Sequence, residues 1–338
     1  MRAWLRRLLR LAERLPIVGR WAGPTARMVA TSWRAGRRIA AGRSSPGLTR
    51  TPRIVTVAVA PPAMPEPDRI ERSIAEHTTT DETFDVQLFE ALNEEYAPRP
   101  VVPAAPEYDH DTLVGRSVAR LQRMHRTIDL ADRKVLVFGC GNGYEVWFLS
   151  HAFNAEAWGI DLAERAAWEP LADDRTHFVL DDVVRDAPFA DAMFDRIIST
   201  NVFEHVEHPI STLAALYRVL RPGGLAFITA NLYRGPLASH RYREVTFPWP
   251  HLLFDDDVFR AFYRRRGLPE QDAEWVNRLT WEQYRAEMLR SGFRIERERL
   301  LTKPIDEPFY RRFEAILGRY PRADLERDFF EVVLRKPG

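Results

Sequence analysis

From residue 134 onward, short apolar runs alternate with longer segments of helical spacing. KVLVFG has strand length, and EVWFLSHAF after it has helical length. AEAWGID, THFVLDD and FDRIISTN read as the second, third and fourth strands. Ile210, Leu213, Leu216, Tyr217 and Leu220 then share one helical face, with Pro222-Gly223-Gly224 as the expected stop. LAFITA is a fifth strand, and FRIERERLL (293–301) and FFEVVLRK (329–336) are the last two. Strands that alternate with helices imply βαβ units and a parallel sheet covered on both faces.

Upstream the pattern is different. At 100° per residue, Trp4, Leu5, Leu8, Leu9, Leu11, Ala12 and Leu15 fall on one arc, with Arg6, Arg7, Arg10 and Arg14 opposite. Such a basic amphipathic helix over residues 1–15 suits the surface of an anionic membrane. A frayed leader, a helix packed on its own domain and a transit peptide are the other readings. Arg residues interrupt the apolar run, which disfavours a secretory signal. Residues 41–68 are rich in Pro, Gly and Ser and read as a linker, with IVTVAVA (54–60) as an edge strand within it. IERSIAEH and VQLFEALNEEY are helical in pattern, 97–106 is Pro-rich, and a helix from Asp111 to Thr127 leads into the body. The expected division is a basic extension and linker (1–68), a connecting segment (69–106) and one α/β domain (107–338).

Charge sharpens this division. Residues 1–53 hold 13 Arg and one acid, Glu13, leaving 36 bases and 47 acids to 54–338. An acidic body argues against a nucleic-acid grip spread over the whole protein, so no nucleic-acid partner is expected. The 45% hydrophobic content excludes a disordered chain. One cysteine excludes a disulfide framework and a four-cysteine zinc site. No apolar run reaches the roughly 18 residues of a membrane span. The expected location is the cytoplasm, with residues 1–15 as a route to peripheral contact at the inner face of a membrane. Nothing in the pattern sets an oligomeric state.

The candidate chemistry begins where the first strand ends, in Gly139-Cys140-Gly141-Asn142-Gly143-Tyr144-Glu145. Glycines at a strand-to-helix turn let backbone approach a ligand closely. Tyr144 stands where the dinucleotide fingerprint needs its third glycine, and no Gly-Lys-Ser/Thr follows to make a P-loop. The spacing is G-x-G-x-G. Asp161, ending the second strand, can accept from both hydroxyls of a ribose, or can cap a helix beginning at LAER. Asp181 and Asp182 end the third strand. An acid there can accept from an exocyclic adenine amine while Val183 packs on the purine, or it is a solvated loop acid.

VLVFGCGNG, GIDL, FVLDDV, APFADAMFDRIISTNVFEHVEHP and LYRVLRPGGLAFIT stand in one order and spacing over about residues 130–231. Together they resemble the class I S-adenosylmethionine-dependent methyltransferases, in particular the small-molecule branch that includes quinone-biosynthesis enzymes. The resemblance implies a Rossmann-like, seven-stranded, mostly parallel sheet with helices on both faces and a final antiparallel hairpin. It implies S-adenosyl-L-methionine as cofactor, with Gly139, Cys140, Gly141, Asn142 and Gly143 at the methionine part. Asp161 and Leu162 would lie at the ribose, Asp182 and Val183 at the adenine, and Asn201 and Val202 toward the sulfonium. The family usually has an acid two residues before its first glycine; here that residue is Val137. Glu145 can supply the missing charge, or can be a first-turn acid that complements the helix dipole.

Methyl transfer to a hydroxyl needs orientation and a base. His205, after the fourth strand, is the candidate base, with Glu204 and His208 as further candidates; a packing or capping role is the alternative. No metal-ligand set is evident, so no metal is expected. Residues 233–278 form a helical insertion after the fifth strand, ahead of a helix whose Thr280 and Gln283 fit a capping box. The insertion holds Tyr233, Tyr242, Phe247, Trp249, Phe254, Phe259, Phe262, Tyr263 and Trp275, with His240, His251 and several Arg. Aromatics with Arg suit a sugar ring or a polar acceptor, or they build a small core of their own. The expected activity is O-methylation of a small molecule or glycan. Its rivals are a non-catalytic scaffold of the same fold, which Val137 favours, and an RNA methyltransferase recruited by the Arg-rich leader.

Overall fold

The structure is a computed structural model, and it describes residues 83–103, 109–183 and 188–338. The basic helix of 1–15, the linker with its 54–60 strand, and IERSIAEH lie outside the described residues.

Seven strands form one sheet in the order β3-β2-β1-β4-β5-β7-β6. They are β1 (Lys134–Phe138), β2 (Glu156–Asp161), β3 (Thr176–Leu180), β4 (Phe194–Thr200), β5 (Leu220–Asn231), β6 (Arg294–Thr302) and β7 (Arg327–Arg335). The first five run parallel, while β7 is antiparallel to both β5 and β6. Successive residues of β1 show why its run is uninterrupted. Val135 and Val137 enter one buried cluster with helices α2 (His110–Ile128) and α3 (Tyr144–Phe153). Leu136 enters the opposite cluster with α5 (Pro209–Val219) and α8 (Trp281–Arg290). A strand covered on both faces has no polar side to alternate with. α8 carries the expected capping box, Thr280 and Gln283 each bonding the other's backbone N–H.

One expected boundary moves. α5 ends at Val219, and Pro222-Gly223-Gly224 lies inside β5. Leu220 already pairs with Phe194, so the chain extends before the Pro-Gly-Gly turn is reached. Gly223, at φ +72, then donates its N–H to the Lys336 carbonyl beside β7. A third cluster is aromatic and draws on distant segments. Phe89 of α1 (Val86–Tyr96) packs within about 5 Å, ring to ring, of Phe247, Phe254, Phe259 and Phe262. Phe309, Phe313 and Leu325 complete it. Between β2 and β3 lies the short α4 (Trp168–Leu171), and α6 (Pro250–Leu253) and α7 (Asp256–Arg265) occupy the insertion. Three short helices, α9 (Glu307–Arg312), α10 (Glu314–Leu317) and α11 (Arg322–Glu326), join β6 to β7. No helix among the described residues is long and apolar enough to cross a membrane.

Candidate functional site

β1 has β2 on one side and β4 on the other, so strand order reverses there. Ligands in open α/β sheets sit at such a switch point, beyond the carboxyl ends of the strands. The glycine turn occupies that place. Gly139 and Cys140 both donate their N–H to the Ile160 carbonyl, at 2.9 and 3.1 Å, which ties the turn to the end of β2. Gly139, Gly141 and Gly143 all have positive φ (+72, +50 and +80). Val202 packs so close to Gly139 that an added Cβ would lie 2.3 Å from its Cγ2. At Gly141 an added Cβ meets nothing within 4 Å, so that side of the turn is open.

The opening belongs to a cavity of about 340 Å³ lined by Gly139, Cys140, Gly141, Asn142, Gly143 and Glu145. Thr200, Tyr144, Arg120 and Arg165 also line it. Asp161 reaches the turn directly, its Oδ2 accepting from the Gly141 N–H at 2.8 Å. Its Oδ1 accepts from Ala163 N–H at 3.2 Å, and no helix starts at LAER, so the capping reading of Asp161 is replaced by a tight local turn. Asp181 N–H donates to the Asp161 carbonyl, which couples the ends of β2 and β3. Asp182 is half-buried beside them, whereas Val183 is buried in the core and Leu162 is 75% exposed. Asn201, at φ +56, is exposed where β4 ends. Glu145 sits in the first turn of α3 and accepts from Arg120 Nε at 2.5 Å. Burial holds the Cys140 thiol well above its ordinary range, so it is an inert wall of the turn.

Sequence reasoning missed the support behind the turn. Trp168 donates its indole N–H to the Gly141 carbonyl at 2.7 Å and stacks on Phe178 at 5.2 Å. Phe178 in turn fills the space a Cβ at Gly143 would need. Arg120, from a helix that only precedes the sheet, was equally hidden. Neither carries a local motif; the Trp in AAWEP was the one visible trace.

On the acceptor side, the short turn Phe203–His205 follows β4. Asn277 of the insertion donates its backbone N–H to the Glu204 carbonyl at 2.6 Å and its side-chain amide to the Phe203 carbonyl at 2.6 Å. Tyr284 donates to Asn277 Oδ1 at 2.8 Å from α8. The insertion is thereby bound to the turn that ends in His205. His205 is exposed, and its Nδ1 lies 3.0 Å from the Trp275 carbonyl. His208 is exposed as well, at the start of α5. Glu204 is buried, and burial pushes its carboxyl up to about 7 against a weaker opposite pull from the backbone N–H groups of Glu204 and Asn231. The His240 ring centroid lies 5.1 Å from that of His205; burial first, then the neighbouring His205, lowers His240 to about 3. His240, Arg241, Tyr242, Arg243, Tyr263 and Glu274 line a second cavity of about 460 Å³. Arg241 pairs with Glu274 at 3.1 Å there. Phe247, Trp249, Phe254, Phe259, Phe262 and Tyr263 belong to the aromatic core, which leaves Tyr242 on the cavity wall and Trp275 exposed.

Several known proteins are similar to parts of this chain. The 27-O-demethylrifamycin SV methyltransferase of Amycolatopsis mediterranei is 28% identical over 61% of this chain and 78% of its own length. The tRNA U34 carboxymethyltransferase of Azotobacter vinelandii is 30% identical over 46% of this chain and 51% of its own. The chain spans about half the length of the curated tRNA U34 carboxymethyltransferases it matches. Among solved structures, an S-adenosylmethionine-dependent methyltransferase from Mesorhizobium loti aligns over 64% of this chain and 96% of its own, at 19% identity and a TM-score of 0.43. Residues 136–228 match the methyltransferase-domain family. That match runs from β1 into β5, through the glycine turn, and marks this region as a methyltransferase domain of the class I S-adenosylmethionine-dependent kind.

Proposed function

We infer that the protein transfers a methyl group from S-adenosylmethionine to an oxygen of a small molecule or glycan. The observation that carries the reading is the bond from Gly141 N–H to Asp161 at the mouth of an open glycine turn. The residues fit the cofactor: the turn leaves room beside Gly141, and the Asp161 carboxylate keeps lone pairs for a ribose. Gly139 to Gly143 would receive the methionine part, Asp161 the ribose, and Asp182 the adenine amine. Bound S-adenosylmethionine supplies a sulfonium-activated methyl group. Val202, packed on Gly139, shapes the floor between cofactor and acceptor. Glu145 with Arg120 gives the cavity a neutralised charge pair where Val137 offers none. His205, beside His240 of the insertion, would act at the acceptor side, as the base unless a metal takes up its free nitrogen, and the insertion would form the acceptor wall.

The small-molecule reading is supported by the rifamycin-modifying relative and by the second cavity with its Arg and Tyr side chains. An RNA acceptor is the second reading, favoured by the tRNA-modifying relatives. The lone cysteine among 338 residues supports a cytoplasmic location. Peripheral membrane contact through residues 1–15 rests on their sequence alone.

Asp161→Ala should weaken S-adenosylhomocysteine binding by about 1–3 kcal/mol, the scale of a charged hydrogen bond left unmade. Calorimetry reads this, and unchanged affinity removes the ribose assignment. Labelled methyl donor incubated with metabolite extract or with total RNA separates the two acceptor readings.

A further inference from the structure

Two loops remote in sequence bring three donor side chains together. Glu204 and His205 come from the turn after β4, and His240 from the insertion. One donor atom from each lies within 4.8 Å of the other two. Glu204 is 1% exposed, and among the described residues its carboxylate has no hydrogen bond of good geometry, only the weak pull of the Glu204 and Asn231 backbone N–H groups. An ionised carboxylate in that state is costly, and either a proton or a cation must meet it. His205 Nδ1 lies 3.0 Å from the Trp275 carbonyl. A carbonyl only accepts, so Nδ1 carries the proton and Nε2 presents its lone pair. A backbone carbonyl behind the ring is how metal-binding imidazoles are oriented. His240 is held in a left-handed backbone conformation, φ +54, between two tethers. Glu274 N–H donates to the Ser239 carbonyl at 3.0 Å, and Arg241 pairs with Glu274. A bulky residue kept at positive φ marks a place that the surrounding structure over-determines.

We propose that Glu204, His205 and His240 bind one divalent cation of the zinc class. Two imidazoles and one carboxylate suit zinc and its borderline neighbours rather than magnesium or calcium. Bonds of about 2.0–2.2 Å set tetrahedral donors about 3.4 Å apart. The 4.8 Å limit therefore asks for a closure of at most about 1.4 Å. The exposed His205 ring can supply it. Three protein donors leave a coordination position for a small ligand. His240 belongs both to the cluster and to the 460 Å³ cavity, so the completing ligand is an oxygen of a molecule in that cavity. This rests on the proposed methyl transfer and deepens it: the acceptor class becomes a hydroxyl compound able to bind a metal, held by a Lewis acid that favours its deprotonated form.

The test uses the full chain after chelator treatment, titrated with Zn²⁺ by calorimetry and with Co²⁺ by visible absorption. One equivalent should bind, with the Co²⁺ spectrum of a four-coordinate nitrogen–oxygen site. Glu204→Gln and His205→Ala should each weaken Zn²⁺ binding at least about 10-fold, the lower bound for disturbing a metal's surroundings. His208→Ala, on the same turn but outside the cluster, should leave zinc affinity within about two-fold. The exposed His205 keeps the test decisive even where Glu204→Gln fails to fold. The same preparations are titrated with S-adenosylhomocysteine. Protein that binds S-adenosylhomocysteine but no zinc overturns the cation site and leaves the methyl-transfer reading standing. Failure to bind either overturns both. Zinc lost on His208→Ala and kept on His205→Ala assigns the metal to the surface and overturns the proposal.

Discussion

Gly139→Ala is the sharpest test of how the glycine turn is built. Two costs can be worked from the structure. The residue has φ +72, and an L-residue there costs about 1–2 kcal/mol. The new Cβ would lie 2.3, 2.6 and 2.9 Å from Cγ2, Cγ1 and Cβ of Val202. Forcing a carbon into such a packed contact costs about 1–3 kcal/mol. The sum is about 2–5 kcal/mol. Val202→Ala removes the two nearer carbons and leaves the third. In the double variant the packing part should return and the backbone part should not. Urea unfolding of wild type, both single variants and the double variant closes a cycle, read by tryptophan fluorescence. A coupling energy of at least about 1 kcal/mol is expected. Additivity within about 0.5 kcal/mol, or a Gly139→Ala variant as stable as wild type, refutes the reasoning.

Two further predictions concern other regions. Asp328 is 4% exposed, and burial raises its carboxyl to about 6 despite opposing help from Lys303, the Leu237 backbone and Asn231. The folded state then holds more protons than the unfolded one between about pH 4 and 6. Stability from this group is therefore present at low pH and lost as pH rises through 6, by up to about 3 kcal/mol. Asp328→Asn should lack that fall, and equal wild-type and variant slopes from urea titrations at pH 4–7 sink the assignment. For the leader, the full chain should co-sediment with anionic liposomes in a salt-sensitive way, and a chain starting at Pro61 should not; equal sedimentation of the two removes its membrane role.

Much of the sheet was legible because its signals are local. β1 to β5 announce themselves as apolar runs of strand length, and the glycine turn, Asp161 and the capping box are each read within a few residues. The aromatic core was legible only as composition. Nothing near Phe89 shows that it will meet Phe254 and Phe262, since that contact depends on how two distant segments close. The same limit hid the Glu204–His205–His240 cluster. EHVEH shows histidines and acids side by side, yet the partner that completes the group comes from the insertion, while His208 in the same motif lies outside it. Trp168 and Arg120 support the turn through packing and one ion pair, neither of which has a spacing to recognise.

The order of the last strands bears on how the chain is assembled during synthesis. β7 is made after β6 but lies between β6 and β5. Until residues 327–335 have emerged, β6 has no neighbour to pair with, and β5 presents a bare edge. A nascent chain paused anywhere between 302 and 327 thus holds a five-stranded sheet with an open flank next to a loose, strongly charged strand. The alternating Arg and Glu of RIERER in β6 then act as a guard: a strand so charged is a poor template for pairing with another chain while it waits. The apolar insert FFEVVL arrives last and is enclosed on both sides as it docks, so its aggregation-prone surface is exposed for the shortest time.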